Sequence, residues 1–317
     1  MRGRDLISIA DLTPEEVKRV IDTAIYMKQR GYRQLLAGQT LALLFEKASL
    51  RTHVSFNVAM QQLGGQTVYL GQSEVGLGTR EPVADVARVL SRYVDAIAAR
   101  TYTQQTIVDL ATYASVPVIN ALSDEEHPCQ ALADLLTIYE SKGDFRGLTL
   151  AFIGDGNNVA SSLAQASAMM GMNFIMASPE GYELPEHVLR QAQRWAGRNG
   201  ASVEIVRRPS EAVRKADVVY TDVWISMGQE DSYQARMQAF ADYQVNRELL
   251  AHAPAEAIVM HDLPAHRGEE IVDEVIEGEQ SVVFHQAENR LHAQRALLAL
   301  LLADEYGPVA GTDKASE

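Results

Sequence analysis

TLALLFEKASLRTHVSFNVAMQQLGGQTVYLG, residues 40–71, decides the fold. Residues 40–46 are an apolar run that reads as a buried strand. The stretch from Val54 to Leu63 is patterned as a helix and is closed by Gly64-Gly65, and residues 67–71 read as a second strand. Strand, helix and strand in one short stretch make a βαβ unit, and such a unit needs a parallel sheet.

The alternation continues outward. A helix is expected over 82–93, a strand over 96–101, a helix over 106–114, a strand over 116–120 and a longer helix from about Pro128 to Ser141. Upstream, Thr13, Pro14 and Glu16 spell an N-cap, a first helical position and a capping box for a helix ended by Gly31. Lys142-Gly143-Asp144 interrupts the pattern, which then restarts. Residues 148–154, 173–179, 202–208, 217–223 and 257–264 read as strands with helices between. Residues 281–286 are a possible last strand, and a strong helix runs from Glu288 to about Glu305. The expected fold is α/β: two open α/β domains with mostly parallel sheets, residues 1–143 and 144–287.

Composition narrows the function. The 317 residues carry 28 Lys+Arg against 42 Asp+Glu, a net charge of −14, and no basic tract, which argues against nucleic acid or an anionic membrane as main partner. One cysteine, Cys129, leaves no intramolecular disulfide and no multi-Cys metal site. The N-terminus has no apolar core of a signal peptide, and no segment approaches a membrane span, so a cytoplasmic protein is expected.

Ligands of open α/β sheets sit at the carboxyl ends of the strands. After residues 40–46 come Ser49, Arg51 and Thr52 at a helix start, a set of hydroxyls, backbone N–H groups and a guanidinium that suits a phosphate. A capped helix with a solvent-facing Arg is the alternative for that segment alone. Arg100 ends the next strand. His127-Pro128-Cys129-Gln130 follows the one after, with His127 at an N-cap. In the second half, Asn158, Asp222, Ser226 and Asp262 occupy strand ends and suit a zwitterionic amino acid or an amine. The Gly154-Asp155-Gly156 loop lacks a full dinucleotide fingerprint, and no acid ends the next strand, so a nucleotide site is not expected. The histidines are not at metal-ligand spacing, and no metal site is read.

FEKASLRT (45–52), LGTREPVADVARVLSRYVD (77–95), HPCQALADLLTIYE (127–140), FIGDGNNV (152–159), TDVWISMGQE (221–230), HDLPAHRGEE (261–270) and QAENRLHAQRALL (286–298) together resemble the aspartate/ornithine carbamoyltransferase family over residues 3–303. The DVWISMG segment sides with the ornithine branch. The resemblance implies an active site in the interdomain cleft, the helix 288–306 packed back on the first domain, and transfer of a carbamoyl group from carbamoyl phosphate to ornithine without cofactor or metal. It assigns Ser49, Leu50, Arg51, Thr52, Arg100, His127, Gln130, Leu263 and Arg290 to carbamoyl phosphate. Asn158, Asp222, Ser226, Met227 and Asp262 go to ornithine, and Arg100, His127, Asp262 and Arg290 to catalysis. It also implies a homotrimer, or an assembly of trimers, with Arg80 reaching a neighbouring site.

Three positions depart from the family pattern. Asp262 stands where the ornithine enzymes usually have Cys, His53 where they have Arg, and His285 where they have Asp. His53 and His285 are expected to be a compensating pair. Asp262 is a candidate general base, or the mark of a different amine acceptor. A non-catalytic relative is the reading from another class, and the intact anion-binding set argues against it.

Overall fold

The computed structural model describes residues 1–225 and 230–304. Four parallel strands, β1 (Thr40–Phe45), β2 (Gln66–Gly71), β3 (Ala96–Arg100) and β4 (Val118–Leu122), form one sheet in the order β2-β1-β3-β4. Five more, β5 (Thr149–Ile153), β6 (Asn173–Ala177), β7 (Val203–Val206), β8 (Val218–Thr221) and β9 (Ile258–Met260), form a second in the order β7-β6-β5-β8-β9. Every strand pairing is parallel, as in Leu43 against both Tyr69 and Ala98, and Ala151 against both Ile175 and Val219. Each order reverses direction once, between β1 and β3 and between β5 and β8. These two switch points open a crevice at the strands' carboxyl ends.

The helix entering from Thr13 runs Pro14–Arg30 with the expected capping box, and Gly31 ends it in the left-handed region, φ 79°. The helix after β1 begins at Leu50, earlier than the apolar pattern alone indicates. Ser49 caps it by accepting the Thr52 N–H.

Two helices lie between the sheets, and their sequences show why. Pro128–Lys142 is buried on every side from Pro128 to Ile138, and Val283–Leu302 is buried almost throughout from Ala293. A helix apolar all round must be enclosed. Both belong to one continuous apolar cluster that runs from Leu41 and Leu43 through Leu132 and Leu135 to Phe152 and Leu163. The Val283–Leu302 helix packs on Pro128–Lys142, Leu50–Gln62 and Pro14–Arg30, so the end of the chain returns to the first sheet's helices.

The strand expected at 281–286 is not formed. The Val259 N–H reaches the Gln280 carbonyl and the Val282 N–H reaches the Val259 carbonyl, and then the chain turns helical at Val283. Helical spacing puts Gln286 on the same buried face as Arg290, where its amide is satisfied.

Candidate active site

A cavity of about 530 Å³ fills the crevice between the carboxyl ends of the two sheets. Its basic wall comes from the first sheet and the terminal helix. Arg51 is in the first turn of the Ser49-capped helix, Arg100 ends β3, and Arg290 reaches in from Val283–Leu302. Arg290 donates through Nη2 to Thr52 Oγ1 at 3.1 Å and through Nη1 to Gln130 Oε1. Ser49 Oγ lies 3.1 Å from Thr52 Oγ1.

The wall is built for charge it does not itself supply. Burial, then the neighbouring Arg290, pulls Arg100 down to about 10. Burial, then Arg290 and Arg100, holds His127 well below the ordinary imidazole range, so its ring is neutral. Arg100 Nε, Arg290 Nε and His127 Nδ1 are buried without a hydrogen-bond partner. Three guanidiniums line one cavity and repel one another, a repulsion that an entering dianion would offset. His127 is the N-cap residue of its helix, but its side chain caps nothing and lines the cavity instead.

The opposite wall is acidic. Asp222 accepts from Asn157 Nδ2 and from the Val223 N–H, both at 2.7 Å. Asn158 lines the cavity and donates to the Ser123 carbonyl at 2.6 Å. Asp262 follows β9, and its Oδ1 is buried without a hydrogen-bond partner. The His261 Nδ1 atom, 3.5 Å away, cannot donate to it. That nitrogen accepts the Leu263 N–H at 2.9 Å, while Nε2 meets Glu270 Oε1 at 3.0 Å. The proton therefore sits on Nε2, and the bond to Nδ1 helps hold Leu263 at a φ of 61°. Burial, then Asp222 and Asp134, pushes the Asp262 carboxyl well above the usual range, and Arg290 opposes the shift.

Asp134 joins the two walls from below. It accepts from Gln130 Nε2 at 2.8 Å, Gln286 Nε2 at 2.7 Å and Tyr220 Oη at 3.2 Å. Gln286 Oε1 accepts the His261 N–H. Gln130 is thus held between Arg290 and Asp134, and its side chain lies beneath the cavity wall. Leu50 is 74% exposed and does not line the cavity. Arg80 sits on an exposed loop outside it, its Nη1 3.5 Å from the Glu74 carbonyl. Ser226 and Met227 lie outside the described residues.

His53 and His285 are not a compensating pair. The His53 ring stacks on Tyr69, centroids 4.3 Å apart, and meets Phe45 edge-on. His285 Nε2 lies 2.8 Å from Glu140 Oε2. Each imidazole has its own partner, so the two changes are independent.

Among the described residues the fold also assembles two clusters, of which the first joins distant segments and the second is local in the chain. Ligand atoms of Asp222, His261 and Asp262 lie within 4.8 Å of one another, as do those of His266, Glu269 and Glu270. In the first, both ring nitrogens of His261 are engaged, which leaves a pair of carboxylates.

Sequence reasoning passed over Lys47, whose Nζ is 4.9 Å from the Tyr102 ring centroid and which lines the cavity. It also passed over Asn157, Asp134 and Gln286. Asp134 was within reach, four residues after Gln130 on one helix face. Gln286, four before Arg290, was hidden by the strand reading.

Gly156 closes the acidic wall. A Cβ there would meet the Glu183 carbonyl carbon and oxygen at 2.3 Å and the Leu184 nitrogen at 2.5 Å, all backbone atoms. The loop that resembles a dinucleotide turn is therefore packed against the chain. Gly156→Ala is expected to cost about 2 kcal/mol, or roughly 5 °C in Tm. A calorimetric scan with unchanged Tm would contradict this.

A basic and an acidic wall facing each other across one crevice make a site for a transferase with an anionic donor and an amine-bearing acceptor. The chain belongs to the aspartate/ornithine carbamoyltransferase family: residues 4–140 match its carbamoyl-phosphate-binding domain and residues 146–301 its aspartate/ornithine-binding domain. It is 52% identical over 306 residues to an ornithine carbamoyltransferase of Pyrococcus abyssi, covering 95% of this chain and 96% of that protein. It is 55% identical over 302 residues to one of Parasynechococcus marenigrum, covering 95% of each. The solved ornithine carbamoyltransferase of Pyrococcus furiosus superposes with a TM-score of 0.92 at 51% identity, over 95% of this chain and 97% of that one.

Proposed function

We propose that the protein transfers the carbamoyl group of carbamoyl phosphate to the side-chain amine of L-ornithine, giving citrulline and phosphate. The observation that carries this is the division of the cavity: Arg51, Arg100 and Arg290 on one wall, Asp222 and Asp262 on the other. Family membership supplies the reaction class.

In this reading the phosphate meets Ser49, Arg51, Thr52 and the backbone N–H at Leu50, where the helix N-terminus favours an anion. Arg100, Thr52, Arg290 and neutral His127 face the carbamoyl oxygen, where negative charge grows as the amine attacks. The Leu263 backbone borders the carbamoyl amide, and Gln130 acts from beneath the wall by holding Arg290. Asn158 and Asp222 hold the α-amino end of ornithine, and Asp262 faces its side-chain amine. The free amine forms the C–N bond, the C–O bond to phosphate breaks, and phosphate leaves into the Arg-lined wall. We take residues 1–143 with the terminal helix as the donor-binding domain and 144–287 as the acceptor-binding domain.

The reading extends to a cytoplasmic homotrimer or assembly of trimers, with Arg80 reaching the next site. Support comes from the edge strand β2 and the helix beside it, which expose Val68, Tyr69, Leu50 and Val54. No helix among the described residues is long and apolar enough to cross a membrane.

Incubation with carbamoyl phosphate and ornithine tests the reaction. Citrulline and phosphate are expected in equal amounts. Phosphate release without citrulline would show hydrolysis in place of transfer.

A further inference from the structure

Asp262 is the one departure that enters the cavity, and it does not stand alone. A carboxylate oxygen of Asp262 lies within 4.8 Å of one of Asp222, so in this buried corner the two negative charges disfavour each other and one proton on the pair relieves them. Asp222 is held by the Asn157 amide and the Val223 N–H, but no such donor serves Asp262 Oδ1. His261 has no hydrogen to give on that side, and Asp262 Oδ1 has no partner. The other groups facing the pair are of both signs. Asp155 beside Asp222 adds negative charge, although Arg236 meets it at 2.9 Å, and Asp134 adds it from below only when ionised, since burial pushes its carboxyl up to about 7. Arg51, Arg100 and Arg290 attract Asp262 from across the cavity, and a bound phosphate dianion would offset that attraction.

We propose that Asp222 and Asp262 act as one carboxyl pair sharing a single proton, and that the acceptor's side-chain ammonium expels this proton on binding and then refills the pair as it becomes the attacking amine. The inference rests on the transfer reaction above and concerns how its acceptor is recognised. The proton count balances. The empty pair holds one proton. Ornithine enters with two ammonium groups, the α-ammonium remaining on Asp222, and the shared proton leaves to solvent. The side-chain ammonium passes a proton to Asp262, and the resulting amine attacks the carbamoyl carbon. The amine's second proton leaves with the phosphate. The pair is then as it began. A site of this kind selects a cationic amine, where a thiol at position 262 would select the free base.

The test is ornithine affinity by titration calorimetry between pH 5.5 and 8.5. The enzyme is loaded with phosphonoacetamide, which cannot transfer its acyl group. Each value is divided by that for L-norvaline, which has the same α-ammonium and no side-chain amine. The pair predicts a relative affinity that rises with pH while the shared proton is lost and then levels off before the pKa of the free amine is reached. Asp262→Ser and Asp262→Cys should both keep rising, about tenfold per pH unit, toward the pKa of the free amine. A wild-type affinity that keeps rising in the same way, or a plateau that survives in either variant, overturns the pair. Absence of binding by both amino acids would instead remove the acceptor reading on which it rests, and the pair's role with it.

Discussion

Arg100→Gln is expected to lower kcat/KM for carbamoyl phosphate by about 1,000-fold while leaving the fold intact. Arg100 ends β3 in the cavity wall, and its Nε is buried without a partner. In a site shielded from water, one charged donor aimed at a developing oxyanion is worth far more than at the surface. The same residue is a burden to the empty protein. Burial and the charge of Arg290 both disfavour its protonated form. Removing the charge should therefore hold or raise Tm as activity collapses. The two readouts together separate a catalytic role from a structural one. A loss below tenfold, or a fall in Tm equal to that of a core cavity, would contradict the assignment.

His127→Asn is the second large effect, a fall in kcat of about 100-fold with a much smaller change in KM for carbamoyl phosphate. The ring is buried, stands beside two guanidiniums and is neutral. It can donate one hydrogen bond to the carbamoyl oxygen without adding a fourth positive charge to the wall. Its depressed pKa has a consequence for stability. A group held neutral in the folded state contributes in full above the unfolded pKa of about 6.5. That contribution is lost as the pH falls below it, when the unfolded chain takes up the proton. Denaturant titrations should show wild type losing stability relative to His127→Asn below about pH 6.5, and the two curves running parallel above it. A wild-type curve that gains on the variant in acid would reverse the sign and refute the neutral assignment.

Much of this architecture is legible in the chain. The βαβ stretch 40–71 leads to the parallel sheet because its apolar runs are short, bounded and regular. The strand-end rule then points to Ser49, Arg51, Arg100, His127, Asp222 and Asp262 before any contact is known. What the chain does not display is set by packing across the crevice. Residues 281–286 have the composition of a strand, but only Ser281 bridges to Val259, and burial of Gln286 beside Asp134 favours the helix. The independence of His53 and His285 depends on Tyr69 and Glu140, which no local pattern links to them. Gln130 reads as a ligand contact, yet Arg290 and Asp134 hold it beneath the wall, a network spanning three distant segments. The closeness of Asp222 and Asp262 is likewise invisible along the chain, since they follow different strands.

The central claim is that this divided cavity takes ornithine as its acceptor. Relative kcat/KM values at saturating carbamoyl phosphate test it most directly, with ornithine, Nα-acetylornithine, putrescine, lysine and aspartate offered in turn and carbamoylated product measured. The account predicts that ornithine exceeds each of the others by about 100-fold or more, since each lacks a charged group, adds a methylene or places a carboxylate where Asp262 stands. A different amine turning over faster than ornithine, or no carbamoylated product from any of the five, would contradict it.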